Sequence, residues 1–193
     1  WYDALGVPHR RVTGTPRIVS LVPSLTETLF AFSLGEAVVG RTGFCVHPAE
    51  VKGVPKVGGT KDVRLERLFA LEPTHVIANV DENRREQVEA IAAAGIEVIV
   101  THPCRLEDNV ALFRLLGGVF DRDSDAFRVM LTVMLGGPVP LWREREIRAR
   151  HTSVRRGDDG QLLPVLRRHV AGLWLHRDRE PYGDAEVTWV EPG

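Results

Sequence analysis

The sequence predicts an α/β protein: a Rossmann-like lobe built on a parallel sheet, followed by a connecting helix and an incomplete or atypical second lobe. Two observations predict the lobe. Short runs of β-branched and apolar residues, such as RIVSLV and HVIANV, are typical of strands buried on both faces. Segments with helical periodicity separate these runs, and such alternation is typical of parallel βαβ units. A third observation limits the lobe, because the alternation is no longer readable after about Phe120.

The first elements follow from local signals. Residues 1–16 are predicted to form an arm, because they contain proline, glycine and charge with little periodicity. The first strand is RIVSLV, which begins at Arg17. A helix over PSLTETLFAFSLG follows, in which Ser24 and Glu27 fit the S-x-x-E capping box and Gly35 is placed to end the helix. The apolar face of this helix is formed by Leu25, Leu29 and Phe32.

The alternation continues along the next eighty residues. AVVGRT is the second strand, and DVRLERLFALEP is predicted to be a helix capped by Asp62 and ended before Pro73. HVIANV and IEVIV are strands on either side of the helix ENRREQVEAIAAAG, whose inward residues are Val88 and Ile91 and whose stop is Gly95. LEDNVALFRLLGG is predicted to be a helix ended by its glycines, and DSDAFRVMLTVML another helix.

These elements define the domain organisation. The arm covers residues 1–16, the α/β lobe residues 17–120, and a partial connecting helix residues 121–136. Residues 137–193 are predicted to be an atypical or truncated C-terminal region, because no further βαβ series can be read in them. The connecting helix meets Gly136–Pro138 early, and proline inside a helix costs about 3 kcal/mol.

Composition excludes several classes of function. The 193 residues carry a net charge of −1, so nothing draws the whole chain toward nucleic acid, and the six arginines of segment 143–156 are expected to form a solvated face. No apolar run reaches the roughly 18 residues of a membrane span, so no direct membrane insertion is expected. No signal peptide is visible, which keeps a cytoplasmic location open. Two cysteines do not make a disulfide framework.

Four loops are expected to meet at one edge of the sheet. Right-handed crossovers place the C-terminal ends of parallel strands on the same edge, and ligands of open α/β sheets bind outside that edge. The segments that follow the strands are 23–26, 41–47, 79–83 and 101–104. The loop VPKVGGTKD is expected to join them, because its two glycines allow close backbone approach. It lacks the spacing of a phosphate-binding loop, so nucleotide binding is not expected.

Several motifs together resemble a known family. RIVSLVPSLTETLF, VVGRTGFCVHP, PKVGGTKDVRLERLFALEPTHVIANVDENRREQVEAI and GIEVIVTHP occur in the order found in the N-terminal lobe of helical-backbone (class III) substrate-binding proteins of ABC importers. The cobalamin-binding branch is the most similar. The resemblance implies two lobes joined by a long helix, a ligand held between them and delivered to a membrane permease, no catalysis, no required cofactor and an extracytoplasmic location. It covers residues 17–120 only.

The resemblance and the rim position together give the candidate ligand-binding residues. Phe44 falls where cobalamin receptors carry an aromatic side chain that packs on the corrin, and Glu27 matches an acidic residue that docks onto the permease. The candidate ligand-binding residues are Pro23, Ser24, Thr26, Thr42, Phe44, Gly59, Thr60, Lys61, Asn79, Asp81, Glu82, Asn83 and His102. Three simpler interpretations stay open: Phe44 as a core residue, Glu27 as a helix cap, and residues 80–86 as a charged helix start.

A metal site is the alternative for the cysteine and histidine pairs. Cys45, His47, His102 and Cys104 form a donor set that suits zinc, which makes a transition-metal or metal-chelate receptor the rival function. The C-x-H spacing is shorter than that of usual structural zinc pairs. Cys45 as a small buried side chain, with His47 in a turn before a proline, is the structural alternative. A dyad of Cys104 and His47 is the only enzymatic arrangement the sequence offers, and no enzyme is expected.

Overall fold

The computed structural model describes residues 1–135, with no side-chain account of residues 134 and 135, and these residues form one α/β lobe. The predicted C-terminal region and the last residue of the predicted connecting helix lie outside the described residues. The strands are β1 Ile18–Ser20, β2 Val38–Arg41, β3 His75–Asn79 and β4 Glu97–Thr101. The helices are α1 Pro23–Ala31, α2 Leu65–Phe69, α3 Arg85–Ala93, α4 Asp108–Val119 and α5 Asp123–Leu135.

The sheet is parallel throughout, in the order β2–β1–β3–β4. Its strands are apolar because both faces are covered. One face packs against α1, α4 and α5 around Ile18, Ile77 and Ile99. The other packs against α2 and α3 around Val76 and Val100. Both predictions, a parallel sheet and strands buried on both faces, are therefore confirmed. Within residues 1–135, no helix combines the length and apolar character needed to cross a bilayer.

Two predicted helix caps are wrong. Helix α1 begins at Pro23 with Val22 as its N-cap, so Ser24 lies inside the first turn and the capping box with Glu27 does not form. Proline suits this first position because it lacks the N–H that would stay unpaired there. Helix α2 begins after Arg64 rather than at Asp62, and it has only five residues, Leu65–Phe69. In both cases the chain enters the helix from an extended residue, without a side-chain cap.

The prediction that glycines end α4 is also wrong. Gly117 and Gly118 lie inside the helix, which continues to Val119. A methyl group on Gly117 would lie 2.6 Å from Cβ of Ala126 in α5, and one on Gly118 would lie 2.0 Å from the Trp1 ring. These glycines therefore serve close packing of the next helix and of the N-terminal arm.

The first sixteen residues are held against the lobe. The amide of Ala4 donates to the Val100 carbonyl (2.9 Å), and the buried Asp3 carboxylate accepts the Val100 amide (3.0 Å). The arm thus pairs with the outer edge of β4, which would otherwise present unpaired backbone groups. Further along, the amide of Val12 donates to the Val119 carbonyl, and Arg11 forms an ion pair with Asp121.

A buried histidine anchors the arm electrostatically. His9 Nδ1 lies 2.8 Å from Glu97 Oε1, and its Nε2 lies 3.4 Å from Asp3 Oδ2. Burial works to lower the pKa of His9, but hydrogen bonding and charge from Asp3 and Glu97 outweigh burial and raise that pKa above 6.5. His75 Nε2 lies 3.5 Å from Glu97 Oε2, and burial lowers the pKa of His75 despite the Glu97 charge.

Candidate functional site

The four strands end at the same edge of the sheet, and their following loops form a contiguous rim. We call rim loops the segments 21–26, 42–48, 80–84 and 102–107, together with the loop 57–63. This edge is where ligands of open α/β sheets bind. Hydrogen bonds join the loops 21–26, 42–48, 57–63 and 80–84, and the approach of His102 to Asp81 adds the loop 102–107, so the predicted meeting of these loops is confirmed.

A buried arginine organises the loop that carries Phe44. Arg41, the last residue of β2, is only 4% exposed. Its guanidinium donates to four backbone carbonyls, those of Thr42 (3.2 Å), Cys45 (2.9 Å), Val51 (2.8 Å) and Val54 (3.2 Å). These bonds satisfy carbonyls that a tight loop leaves without strand partners. Sequence reasoning did not assign this role to Arg41, although a cation ending an apolar strand was a visible signal.

Phe44 projects from this fixed loop into solvent. Its side chain is 64% exposed, whereas Thr42 and Cys45 on either side are fully buried. Phe44 is therefore not a core residue, and that interpretation is wrong. Two further rim side chains, Val46 (51% exposed) and Leu106 (63% exposed), add apolar surface that sequence reasoning did not single out.

Cys45 is a structural residue beneath the rim. Its Sγ lies 3.1 Å from Thr26 Oγ1 and 3.1 Å from Thr42 Oγ1. Thr26 also donates to Ser20 Oγ and to the Val22 carbonyl. Because Thr26 and Thr42 are fully buried, they support the rim from below and do not contact a ligand with their hydroxyls, contrary to the sequence-based expectation.

The four-residue metal set is not assembled. Cys45 is buried among hydroxyls and His47 is exposed, while His102 and Cys104 pair with each other on another loop. Across residues 1–135, no group of three or more His, Cys, Asp or Glu side chains is arranged to hold a metal ion. The prediction of a Cys/His zinc site is therefore wrong for these residues, and the structural interpretation of Cys45 is confirmed.

The glycine loop 57–63 lies against the Phe44 loop. The amide of Gly43 donates to the Gly58 carbonyl (2.7 Å). Gly58 has φ +127°, and a methyl group there would lie 2.3 Å from the Asp62 carbonyl oxygen, so this position needs glycine. Thr60 is half-buried and Lys61 is exposed at the tip of the loop.

Two asparagines join the remaining loops. Asn83 Oδ1 accepts the amide of Asn79 (2.8 Å), and its Nδ2 donates to the Thr60 carbonyl (2.8 Å). Asn79 Oδ1 accepts the amide of Asp81 (2.8 Å). Both asparagines are buried, so they hold the rim together, whereas Asp81 and Glu82 between them are exposed.

The loop after β4 brings a thiol and an imidazole to the surface. Cys104 is exposed, and its Sγ lies 3.2 Å from His102 Nε2. On the other side of the ring, His102 Nδ1 lies 3.2 Å from Asp81 Oδ2. Cys104 thus pairs with His102 and not with His47, the partner that the sequence left possible.

Solvent exposure divides the predicted ligand-binding residues into two groups. The buried ones, which position the loops, are Thr26, Thr42, Asn79 and Asn83. The exposed or half-exposed ones are Pro23, Ser24, Phe44, Gly59, Thr60, Lys61, Asp81, Glu82 and His102. Glu27 is exposed on α1 and free of the capping role predicted for it. The exposed group combines an aromatic ring with charges of both signs.

The sequence is similar to vitamin B12-binding proteins over half of its length. Over 99 residues the chain is 29% identical to the vitamin B12-binding protein of Photorhabdus laumondii, a match that covers 51% of this chain and 36% of that protein. A vitamin B12-binding protein of Pectobacterium carotovorum is 29% identical over 100 residues.

Solved structures are similar over a longer part of the chain. The apo periplasmic heme-binding protein of Roseiflexus sp. RS-1 is 28% identical with a TM-score of 0.57, covering 76% of this chain and 52% of that one. The periplasmic vitamin B12-binding protein of Vibrio cholerae has a TM-score of 0.55 at 18% identity and shares the fold.

This chain spans about half the length of those structures and about a third of the B12-binding relatives. The sequence profile of the periplasmic binding protein family matches residues 18–131, which contain the whole sheet and its rim. The chain belongs to the periplasmic binding protein family, within the class III substrate-binding proteins.

Proposed function

We propose that this chain provides the N-terminal ligand-binding lobe of an ABC-importer substrate-binding protein, and that its ligand is a corrinoid. The lobe captures the ligand on its rim and delivers it to a membrane permease without chemistry and without a required cofactor. Ligand capture and delivery take place outside the cytoplasm, as in the periplasmic members of the family. The observation that carries the proposal is the exposed Phe44 ring on a rigid rim loop.

Leaving Phe44 in solvent forgoes a large stabilisation. Full burial of a phenylalanine side chain contributes about 1.5–3 kcal/mol, yet 64% of this one stays exposed. The loop has no freedom to bury it, because Arg41 fixes the carbonyls of Thr42 and Cys45 on both sides. A fixed, exposed aromatic ring suits a flat, largely apolar macrocycle, since such a ligand recovers the buried area without reorganising the loop.

Polar groups around Phe44 match the periphery of a corrinoid. Lys61, Asp81 and Glu82 are exposed on the adjoining loops, and their charged groups are suited to the amide side chains of the corrin ring. Val46 and Leu106 extend the apolar surface. The identity of the B12-binding relatives over the same half of the chain supports this choice of ligand.

Haem is the second candidate, as a specific form of a metal-chelate ligand. The heme-binding protein from Roseiflexus is 28% identical and covers 76% of this chain, against 18% identity and 72% for the vitamin B12-binding protein of Vibrio cholerae. Haem is also flat and apolar, so it satisfies the Phe44 argument equally. The two ligands differ in the groups at the edge of the ring. Haem carries two carboxylates there, and the rim offers them one cation, Lys61, together with two carboxylates, Asp81 and Glu82, that repel them.

The permease contact is proposed for Glu27. Its carboxylate is exposed on α1, immediately beyond the rim, and it has no part in capping that helix. An exposed carboxylate on a rigid helix suits a cationic side chain on the membrane partner.

Substitution of Phe44 tests the proposal. Phe44→Ala should weaken cobalamin binding by about tenfold, the loss expected for one aromatic contact of about 1–1.5 kcal/mol. Phe69→Ala is the matched control, because Phe69 is also exposed (36%) but lies at the end of α2 that leads toward the start of β3, away from the rim. Isothermal calorimetry on the full chain measures both. Equal affinities for the Phe44→Ala and Phe69→Ala proteins would contradict the proposal.

A further inference from the structure

A cluster on the rim joins Asp81, whose carboxylate is also proposed to meet the corrinoid, to a thiol and an imidazole for which the proposed function gives no chemistry. Cys104 and His102 come from the loop after β4, and Asp81 comes from the loop after β3. Cys104 Sγ lies 3.2 Å from His102 Nε2, and His102 Nδ1 lies 3.2 Å from Asp81 Oδ2. The thiol and the carboxylate therefore face opposite nitrogens of one imidazole.

This order of groups favours proton transfer from the thiol. Asp81 Oδ2 lies 3.2 Å from Nδ1 without hydrogen-bonding geometry, so the carboxylate acts on the ring through its charge, while Nε2 is in hydrogen-bond contact with the thiol. The same carboxylate stabilises the imidazolium that forms when Nε2 takes the thiol proton. The thiolate is the nucleophilic form of cysteine, and the imidazolium beside it stabilises its charge.

The thiol is also held in place and accessible. Asp108 Oδ2 accepts the backbone amides of Cys104 (2.9 Å) and Arg105 (2.7 Å), which fixes the loop at the start of α4. Cys104 is exposed, whereas Cys45, the other cysteine, is fully buried beside two threonine hydroxyls. The chain thus contains one cysteine with a base and access to solvent, and one with neither.

We propose that Cys104 is a thiol-modification site whose substrates are low-molecular-weight disulfides. His102 takes the thiol proton, and Asp81 is a positioning residue for the imidazole. The thiolate attacks one sulfur of the disulfide, so that a new S–S bond forms to Cys104 as the S–S bond of the disulfide breaks. The other half leaves as a thiolate and takes the proton from His102. The disulfide is the oxidant, and Cys104 is converted into a mixed disulfide.

The proposal is independent of the transported ligand, so it is tested without one. The full chain is treated at neutral pH with oxidised glutathione, and the modified residue is identified by peptide mass spectrometry. Rates are measured with an aromatic disulfide whose released thiolate absorbs light. Cys104 should react about ten times faster than free glutathione, which is only a few per cent thiolate at this pH. Cys45 should remain unmodified until the protein is unfolded.

Variants test the assigned roles. His102→Gln should slow the reaction at Cys104 at least about fivefold at neutral pH. Asp81→Asn should slow it to a smaller extent. Glu82→Gln is the matched control, because its exposed carboxylate follows Asp81 but does not pair with His102, and it should leave the rate unchanged.

Two results would overturn the proposal. One is a Cys104 rate equal to that of free glutathione in the wild-type protein, a measurement that needs no variant to fold. The other is a fast rate that His102→Gln leaves unchanged in a protein whose Cys45 is still protected.

Discussion

Replacing Gly117 by alanine should destabilise the lobe, because α4 and α5 approach at this position too closely for a methyl group. The new Cβ would lie 2.6 Å from Cβ of Ala126 and 3.3 Å from the Arg122 carbonyl oxygen. Carbon atoms in contact are about 3.5–4.0 Å apart, so α5 must move by about 1 Å. Overpacking of this kind lowers the free energy of unfolding by about 1–3 kcal/mol, and the higher helix propensity of alanine raises it by about 1 kcal/mol. The expected net loss is therefore about 0–2 kcal/mol.

Urea unfolding followed by circular dichroism measures this loss in the full chain. Gly118→Ala is the matched control, since it gains the same helix propensity one residue further along α4. Its methyl group would meet the Trp1 ring at 2.0 Å, but Trp1 is 42% exposed at the start of the chain, and its ring has solvent to move into. Gly117→Ala should therefore be the less stable of the two. A Gly117→Ala protein about 1 kcal/mol more stable than the wild type, the full gain in helix propensity, would refute the packing argument.

Three further predictions concern buried polar side chains. The stability contributed by protonated His9 is complete below its unfolded pKa of 6.5 and is lost as pH rises through its raised native pKa. The contribution of neutral His75 is lost as pH falls below 6.5 toward its lowered native pKa. The free energy of unfolding, measured by urea titration at a series of pH values, should therefore have a maximum near pH 6.5 from these two groups. His9→Gln should flatten its fall on the alkaline side, and His75→Gln its fall on the acid side. Unchanged profiles in both variants would disprove this. Arg41→Met should cost about 3 kcal/mol, because it leaves the Cys45 and Val54 carbonyls unpaired, and an unchanged urea midpoint would be inconsistent with that role. Asn83→Ala should cost about 1–3 kcal/mol by orphaning the buried Asn79 amide, and hydrogen exchange at that amide should accelerate; continued protection would argue against it.

The order of strands and helices was predictable from sequence because it depends on local periodicity. Apolar runs such as HVIANV and IEVIV correspond to β3 and β4 to within one or two residues. Val88 and Ile91 are buried as the helical pattern predicts. The shared rim followed from topology alone, since parallel strands joined by right-handed crossovers end on one side.

Contacts between distant residues explain what sequence reasoning missed. The capping box at Ser24 is a local pattern, but the N-cap is Val22, two residues earlier, and α1 begins at Pro23. Gly117 has the pattern of a helix stop, yet its role is set by Ala126 on a different helix. The sequence of the arm shows no periodicity, and its hydrogen-bond partners are backbone groups at the outer edge of β4, far away in the chain.

In the candidate site, too, local sequence predicted some features and contacts between distant residues decided the others. Sequence reasoning found the rim loops and Phe44, but it grouped Cys45 with His102 and Cys104 by residue type. Burial separates them, since Cys45 lies below the rim against Thr26 while Cys104 faces solvent. Residue type gives the available chemistry, and only the packing of the loops decides which groups meet.

The most direct test of the proposed function is a calorimetric titration of the full chain, treated with chelator, with cobalamin. The same protein is then titrated with haem and with zinc. Saturable one-to-one binding of cobalamin, tighter than that of haem, is the predicted result. No cobalamin binding, with clear uptake of haem or zinc, would contradict the corrinoid assignment.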